Sequence, residues 1–382
     1  MINNIAIIGG GPAGLYLAWL LQGSGLKITL FDHRIPFEKP CGGGITFKAM
    51  NEIKMLKGIE TLSNAVQQFR FISPYESSCD VACDVPMQII SRKTLSEYQL
   101  NLLDYKQINL VHSKVTEIIR QNDDFKITVD NMNYDSNFKF DFVVGADGAQ
   151  GISRRWLGAK PFGTNRYSGL GYYVDGLCID EAIIKFYTNS KGYLWVFPRG
   201  DHSSVGFFSL SKQFSREMAL SHVTGFLQKH FPDFKPNPQR YYSATIPLVW
   251  KWEKENIQGK NWALIGDAGG FVDTITGEGI YYAFKSAELL SKAIVANKPE
   301  LYFENCHGII AELQKSATIF PKFYKTWFTS AMVLLSKRSY FLQQVLVNLI
   351  LGRQTYCTLK ATLKKNIPTV IKEVMMSFFK KG

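Results

Sequence analysis

The sequence predicts a mixed α/β fold, α+β overall: a doubly wound α/β domain, an antiparallel sheet inserted into it, and a helical C-terminal region. Three observations predict it. An apolar strand runs through a glycine cluster into a helix over Ile5 to Leu21. Short alternating segments crowd residues 160–247, separated by turn-forming residues. Beyond Pro299 the chain reads as helix, punctuated only by Gly308, Pro321, Gly352 and Pro368.

The first element carries the most information. Ile5-Ala6-Ile7-Ile8 has strand composition, Gly9-Gly10-Gly11-Pro12-Ala13-Gly14 turns the chain, and Leu15 to Leu21 continues as apolar helix. At the spacing of Gly9, Gly11 and Gly14, the first glycine permits a tight turn and the second admits a pyrophosphate against the backbone. The third lets helix and strand pack closely. The open N–H groups of the helix N-terminus would receive the phosphates. A second strand, Lys27 to Phe31, ends on Asp32, 18 residues after Gly14, where a carboxylate can meet a ribose hydroxyl. The stretch reads as a Rossmann-type dinucleotide site.

A second glycine-rich turn follows at Pro40-Cys41-Gly42-Gly43-Gly44. Three consecutive glycines cost folding entropy, which suggests close backbone approach to a ligand; a flexible surface loop is the alternative. Residues 46–59 read as helix, 69–72 and 85–90 as strands around a turn-rich excursion, and 91–105 as helix. Val111 to Val115, Glu117 to Arg120 and Phe125 to Val129 alternate as half-buried antiparallel strands do. Phe138 to Val144 is a strand entering Gly145-Ala146-Asp147-Gly148. Strands are expected at 168–176, 182–187, 192–197 and 203–210, and a helix at 215–230. Trp262 to Ile265 is a core strand leading to Gly266-Asp267-Ala268-Gly269-Gly270, and 279–296 is helical.

With 382 residues the chain is long enough for two or three domains and a large core. The net charge of +12 is uneven: residues 315–382 hold twelve Lys/Arg and one acid, Glu373, so the basic character belongs to the tail. Lys325 to Gly352 mixes many apolar side chains with Lys337 and Arg338. Basic amphipathic helices of this kind can lie on anionic membrane surfaces, and packing on the rest of the fold is the alternative. No motif accompanies the charge that would indicate nucleic acid. The six cysteines lack paired metal-ligand spacing, so no metal is expected and the thiols are read as reduced. The chain enters a strand by residue 5, leaving no room for a signal peptide, and no apolar run reaches a membrane-spanning length. A cytoplasmic location, peripheral at the membrane face, is expected.

The three motifs Gly9–Gly14, Gly145–Gly148 and Gly266–Gly279, in that order, resemble those of the FAD-dependent para-hydroxybenzoate hydroxylase superfamily. The resemblance covers about residues 1–300. Two further stretches, Pro40 to Gly44 and Gly192-Tyr193-Leu194-Trp195-Val196-Phe197-Pro198, resemble the geranylgeranyl reductase branch. The resemblance implies FAD as cofactor, held by Gly9, Gly11, Ala13, Gly14, Asp32, Cys41, Gly42, Gly44, Arg92, Val115, Asp147, Asp267, Gly279 and Ile280. For Arg92, whose expected role is to meet the phosphates, a helix-capping surface arginine is the alternative. The implied organisation is a discontinuous FAD-binding domain (1–68, 88–158, 248–298), an antiparallel-sheet substrate domain (69–87, 159–247) and a basic helical region (299–382).

Tyr193, Trp195 and Phe197 fall on one face of a strand, so three rings form a wall, closed by Pro198. With the resemblance, this wall would hold an isoprenoid chain of a lipid or quinone. Cys41 would lie beside the flavin, positioning substrate or cofactor or relaying a proton; a small buried apolar cysteine is the alternative. The expected reaction is saturation of a carbon–carbon double bond by hydride from reduced flavin, with NAD(P)H or a reduced ferredoxin-like carrier as electron donor. The rival expectation is a flavin monooxygenase or halogenase, since the Tyr193–Pro198 strand is not far from a halogenase pattern. Three departures from the family pattern stand out: Gly151 where serine is usual, Thr274 where proline is common, and Asp32 in place of the more frequent glutamate.

Overall fold

A computed structural model describes residues 2–130, 138–163, 166–210, 212, 214–234 and 241–379. Lys380 and Lys381 of the basic tail, and residues 164, 165, 211, 213 and 235–240 of the expected substrate domain, lie outside these. The chain divides into two compact units. The first comprises 1–39, 92–163 and 246–314; the second comprises 40–91, 164–245 and 315–382.

The first unit is built on a six-stranded sheet in the order Gln258–Gly259, Trp262–Leu264, Phe142–Gly145, Asn4–Ile8, Lys27–Phe31, Ile108–Val111. All neighbours are parallel except the first pair. Asn4–Ile8 sits centrally, flanked by Phe142–Gly145 and Lys27–Phe31, so the ends of the two glycine-bearing strands lie side by side. The helix Pro12–Leu21 connects the first two strands and packs on the helix Ile280–Val295, where Tyr16 and Phe284 meet edge to face at 5.3 Å. A three-stranded antiparallel sheet (Val115–Gln121, Asp124–Val129, Phe138–Phe140) covers one side. Its inward residues Val115, Ile118, Phe125 and Ile127 share a core with Ala6, Ile8 and Phe31.

The second unit carries an eight-stranded sheet in the order Tyr241–Pro247, Arg166–Asp175, His202–Leu210, Gly192–Pro198, Glu181–Phe186, Asn64–Ile72, Ser78–Ile89, Gly44–Ile45. It is not purely antiparallel as expected: Glu181–Phe186 and Asn64–Ile72 run parallel. The helix Arg216–His230 covers one face, with Val223, Phe226 and Leu227 buried against Leu194, Val196, Val205 and Phe207. The helices Thr326–Ser336 and Tyr340–Ile350 belong to this unit, and their Val333, Val345 and Leu346 are buried.

Some elements differ from the sequence expectation, each for a physical reason. The excursion before residue 85 is the start of one strand, Ser78–Ile89, in which Cys79, Val81 and Cys83 are buried and Asp80, Ala82 and Asp84 are exposed. Cysteine counted as neutral hides that alternation. The helix expected over 46–59 is the single segment Phe47–Glu52, capped by the Thr46 hydroxyl, followed by two short 3-10 turns around Gly58 in left-handed conformation. Residues 40–68 group with the second unit because Gly44–Ile45 and Asn64–Ile72 pair with Ser78–Ile89. Residues 299–314 group with the first, where the Tyr302 hydroxyl donates to the Leu264 carbonyl at 3.0 Å.

Candidate functional site

In the first unit the glycine loop is shaped by close contacts. Gly9 is in the left-handed region (φ 107°), and a Cβ there would lie 2.6 Å from the Ala146 carbonyl oxygen. A Cβ on Gly14 would lie 2.0 Å from the Gly9 oxygen, whereas one on Gly11 would meet nothing within 4 Å. The open side of Gly11 therefore leaves room for a group to approach the backbone at the start of Pro12–Leu21. The Asp32 carboxylate is committed to this loop. Its Oδ2 accepts from Gly10 N and its Oδ1 from Arg34 N, both at 2.8 Å, so beyond any ribose contact it pins the turn.

The third motif is folded onto the first. Gly266 (φ 57°) is wedged where a Cβ would lie 3.2 Å from the Ala13 Cβ and 3.4 Å from that of Ala283, and its N–H donates to the Ser286 hydroxyl at 2.9 Å. Gly279 lies against Asp267: a Cβ on it would be 3.1 Å from Oδ1. Ile280 begins the following helix. Lys39 Nζ pairs with Asp267 Oδ2 at 2.7 Å, and the Lys39 loop is held by Lys93 N donating to Glu38 at 2.9 Å. Burial would raise the Asp267 carboxyl, but Lys39, with help from Arg92, holds it below the usual carboxylate range.

Arg92 and Ser96 stand one turn apart on the helix Arg92–Asn101, and both are buried. Neither Arg92 Nε nor Ser96 Oγ has a hydrogen-bond partner among the described residues. Gln99, on the same face, donates from Nε2 to the Pro12 carbonyl at 3.2 Å, tying this helix to the first turn of Pro12–Leu21. Buried donors left open cost free energy unless something fills them. A guanidinium, a hydroxyl and an uncovered helix N-terminus are the donor set an anionic phosphate group needs. These residues fit the phosphates of a dinucleotide.

The second motif is braced internally. Asp147 Oδ2 accepts from Ser153 N at 2.9 Å, and Oδ1 accepts from the Ser153 hydroxyl. A Cβ on Gly151 would lie 2.0 Å from the Asp147 Cγ, so a serine cannot replace Gly151 in this packing, and Ser153 supplies the hydroxyl instead. Burial raises the Asp147 carboxyl while the Ser153 bonds oppose that rise. Arg154 bridges to the third motif, donating from Nη1 to the carbonyls of Ala268 (3.0 Å) and Asn256 (3.1 Å). Val115 turns its side chain into the core described above.

In the second unit the Cys41 loop and the aromatic strand meet. A Cβ on Gly42 would lie 2.7 Å from the Phe197 ring and 3.6 Å from that of Trp195; one on Gly44 would be 3.3 Å from Met87 Sδ. Gly43 (φ 86°) has no room for a Cβ, which would be 2.1 Å from the Ile90 oxygen. Cys41 Sγ accepts from Gly43 N at 3.3 Å, and the Cys41 carbonyl accepts from Arg199 Nη2 at 2.7 Å and Ser204 Oγ at 3.3 Å. Along Gly192–Pro198, Leu194 and Val196 face the covering helix, leaving Tyr193, Trp195 and Phe197 on the other side. Phe208 packs on Tyr193 (4.5 Å), and Trp195 lies over Gly206 with its Nε1 donating to Ser204 Oγ at 3.1 Å. The Pro198 carbonyl accepts from Asn64 Nδ2 at 3.1 Å.

Several participants were not singled out from the sequence. Arg199, Ser204 and Tyr242 form a cluster: Ser204 Oγ and Tyr242 Oη are 2.7 Å apart, and the Arg199 guanidinium lies 4.8 Å from the Tyr173 ring centroid. Burial pushes the Tyr242 phenol well above its ordinary range, against the opposing effects of Ser204 and Arg199. Lys39, Ser96 and Gln99 join the first-unit site in the same way. Arg199 directly follows the Tyr193–Pro198 motif and Lys39 directly precedes Pro40–Gly44, whereas no motif adjoins the others. None of the six cysteines is in a disulfide; burial pushes Cys79 up to about 11 and Cys83 up to about 12, so neither is a ready nucleophile. Among the described residues no group of three or more His, Cys, Asp or Glu could hold a metal ion.

Residues 7–59 match the family of NAD(P)-binding Rossmann-like domains. Over about three quarters of its length the chain is similar to proteins named geranylgeranyl reductases. It is 25% identical over 320 residues to geranylgeranyl diphosphate reductase of Synechocystis, covering 78% of this chain and 76% of that one. It is likewise 25% identical over 342 residues to digeranylgeranylglycerophospholipid reductase 1 of Methanococcoides burtonii, covering 85% and 79%. An uncharacterised protein of Methanosarcina barkeri is 28% identical over 316 residues, 76% of this chain and 74% of that protein. Among solved structures, a geranylgeranyl bacteriochlorophyll reductase-like protein of Thermoplasma acidophilum superposes with a TM-score of 0.80 at 19% identity, covering 99% of this chain and 100% of the other. The flavin-dependent brominase Bmp2 superposes at 0.73 with 15% identity, covering 94% and 98%. Both structural likenesses concern the fold alone.

Proposed function

We propose that this protein is an FAD-dependent reductase that saturates carbon–carbon double bonds in the isoprenoid chain of a lipid or quinone. The observation that carries the reading is the seat of Gly42 on Phe197 and Trp195. It joins the glycine-rich Cys41 loop to an aromatic face, in a chain whose relatives are named for geranylgeranyl and digeranylgeranylglycerophospholipid reduction. When bound, the flavin supplies the hydride.

The chain's own residues divide the remaining work. Gly9, Gly11, Ala13 and Gly14 with the first turn of Pro12–Leu21 would hold the pyrophosphate, Arg92 and Ser96 would meet phosphate oxygens, and Asp32 a ribose hydroxyl. Asp267, kept ionised by Lys39 beside Gly279 and Ile280, would accept from hydroxyls, and Val115 and Asp147 would shape the site. In the second unit Cys41, Gly42 and Gly44 would face the reactive ring. Tyr193, Trp195 and Phe197, with Pro198, would bind the prenyl chain by apolar burial, worth roughly 25 cal/mol per Å². An isolated alkene accepts hydride poorly, so a proton must arrive in step. The Cys41 thiol, held by Gly43 N–H at its sulfur and by Arg199 and Ser204 at its carbonyl, is the group proposed to position or deliver it. NAD(P)H or a reduced ferredoxin-like carrier would supply electrons. The setting proposed is cytoplasmic and peripheral to the membrane; among the described residues no helix is long and apolar enough to cross one.

The test is anaerobic. Holoprotein reduced chemically and mixed with a geranylgeranyl lipid should add two hydrogens per double bond, read by mass spectrometry. Product that forms only with oxygen, and carries oxygen or halogen, would replace this reading with the monooxygenase or halogenase alternative.

A further inference from the structure

We propose that the exposed face of the terminal helix, Ile367–Phe379, docks on an anionic lipid bilayer. In an ordinary surface helix the apolar stripe faces the fold and the polar residues face water. This helix is built the other way. Ile367, Ile371, Met375 and Phe378 recur at the spacing of one helical face, and Met376 and Phe379 widen it; the six are exposed by between 47% (Met376) and 82% (Phe379). The acid of the helix points inward: Glu373 accepts from the Ser339 hydroxyl and from Phe341 N at 3.2 Å. No residue of the helix is buried.

The charges around this face select its occupant. Lys360, Lys364 and Lys365 are exposed on the preceding helix, Lys372 is exposed within the face itself, and the Arg338 guanidinium lies 4.0 Å over the Phe378 ring. Residues 315–382 contain no acid but Glu373, which is already engaged. A second copy of the same face would set lysine against lysine with no carboxylate to pair them. An anionic bilayer answers both features, since the apolar side chains enter the acyl boundary while the lysines meet lipid phosphates. Bare exposure of so contiguous an apolar patch is costly for a monomer. The surface deepens the peripheral membrane setting proposed above by naming its contact face, and it does not depend on the reaction.

The experiment is flotation of the full-length holoprotein with vesicles of phosphatidylcholine alone or mixed with phosphatidylglycerol. Binding is expected to the mixed vesicles at low salt, and to fall about tenfold or more in high salt, with neutral vesicles, for Ile371→Glu/Met375→Glu, and for Lys364→Glu/Lys365→Glu. The substituted side chains are exposed, so bound flavin and circular dichroism should match the unaltered protein, which separates loss of docking from loss of fold or cofactor. Absence of flotation on anionic vesicles at low salt would overturn the proposal. So would equal binding by the variants, or a dimer in light scattering that Ile371→Glu/Met375→Glu dissociates.

Discussion

Arg199 Nη2 donates to the Cys41 carbonyl at 2.7 Å, across 158 residues of sequence. The guanidinium also lies over Tyr173, and Ser204 adds a second donor to the same oxygen. The Cys41 loop is thereby held by side chains from the aromatic strand's end and its neighbour. Arg199→Ala should lower turnover about ten- to hundredfold, the scale of one charge-assisted hydrogen bond of ~1.5–3 kcal/mol, while KM for a prenyl substrate changes little. Arg199→Lys should recover only part, since an ammonium lacks the planar fork. Steady-state kinetics on both variants, at matched flavin content, make the comparison.

Gly42 cannot carry a side chain without moving Phe197. Gly42→Ala should destabilise the second unit by about 1–3 kcal/mol, as overpacked sites do. Pairing it with Phe197→Leu should restore part of that loss, because the contact is direct. Urea unfolding of the two single variants and the double variant measures the coupling.

Arg92 is buried with Nε unpartnered, so its removal should separate stability from binding. Arg92→Met should change the thermal midpoint of the flavin-free protein little, because it removes an unpartnered buried donor together with part of the charge that offsets Asp267. Flavin affinity should fall about tenfold or more if the guanidinium meets a phosphate. Calorimetric melting of the apoprotein and flavin titration give the two numbers.

The Lys39–Asp267 pair predicts a pH effect of definite sign. The folded Asp267 carboxyl lies below its ordinary value, so its contribution to stability is complete above the unfolded value of about 3.9 and is lost as pH falls through the folded one. Lys39→Met removes the main opposing charge and leaves burial to push the carboxyl up. Acid unfolding followed by tryptophan fluorescence should then begin at a higher pH than in the unaltered protein.

Gly151 and Ser153 show what a sequence motif conceals. Gly151→Ser, which would restore the family's usual residue, should destabilise the first unit because its Cβ would fall 2.0 Å from the Asp147 Cγ. Ser153→Ala should cost about 1–3 kcal/mol by leaving a buried carboxylate oxygen without its hydroxyl donor. Thermal melting of each variant tests both.

The fold class, the order of the three glycine motifs and most helices were legible because their signals are local. Strand, turn and helix of Ile5–Leu21 lie within a few turns of chain, and alternation marks Gly192–Pro198 without knowledge of its neighbours. The strand Ser78–Ile89 was half hidden by its cysteines, and the parallel pairing of Glu181–Phe186 with Asn64–Ile72 has no local mark.

Which segments bear glycine, acid and aromatic side chains, and in what periodicity, can be read from the chain without its fold. Folding sets which of them touch: Lys39 with Asp267, Arg154 with Ala268, Gly42 with Phe197, and Arg199 with the Cys41 carbonyl. Folding also turns Glu373 inward and the apolar stripe of Ile367–Phe379 outward. The reason is that local propensity acts over a few residues. Register, sheet order and the choice of buried partner are settled by packing between segments hundreds of residues apart.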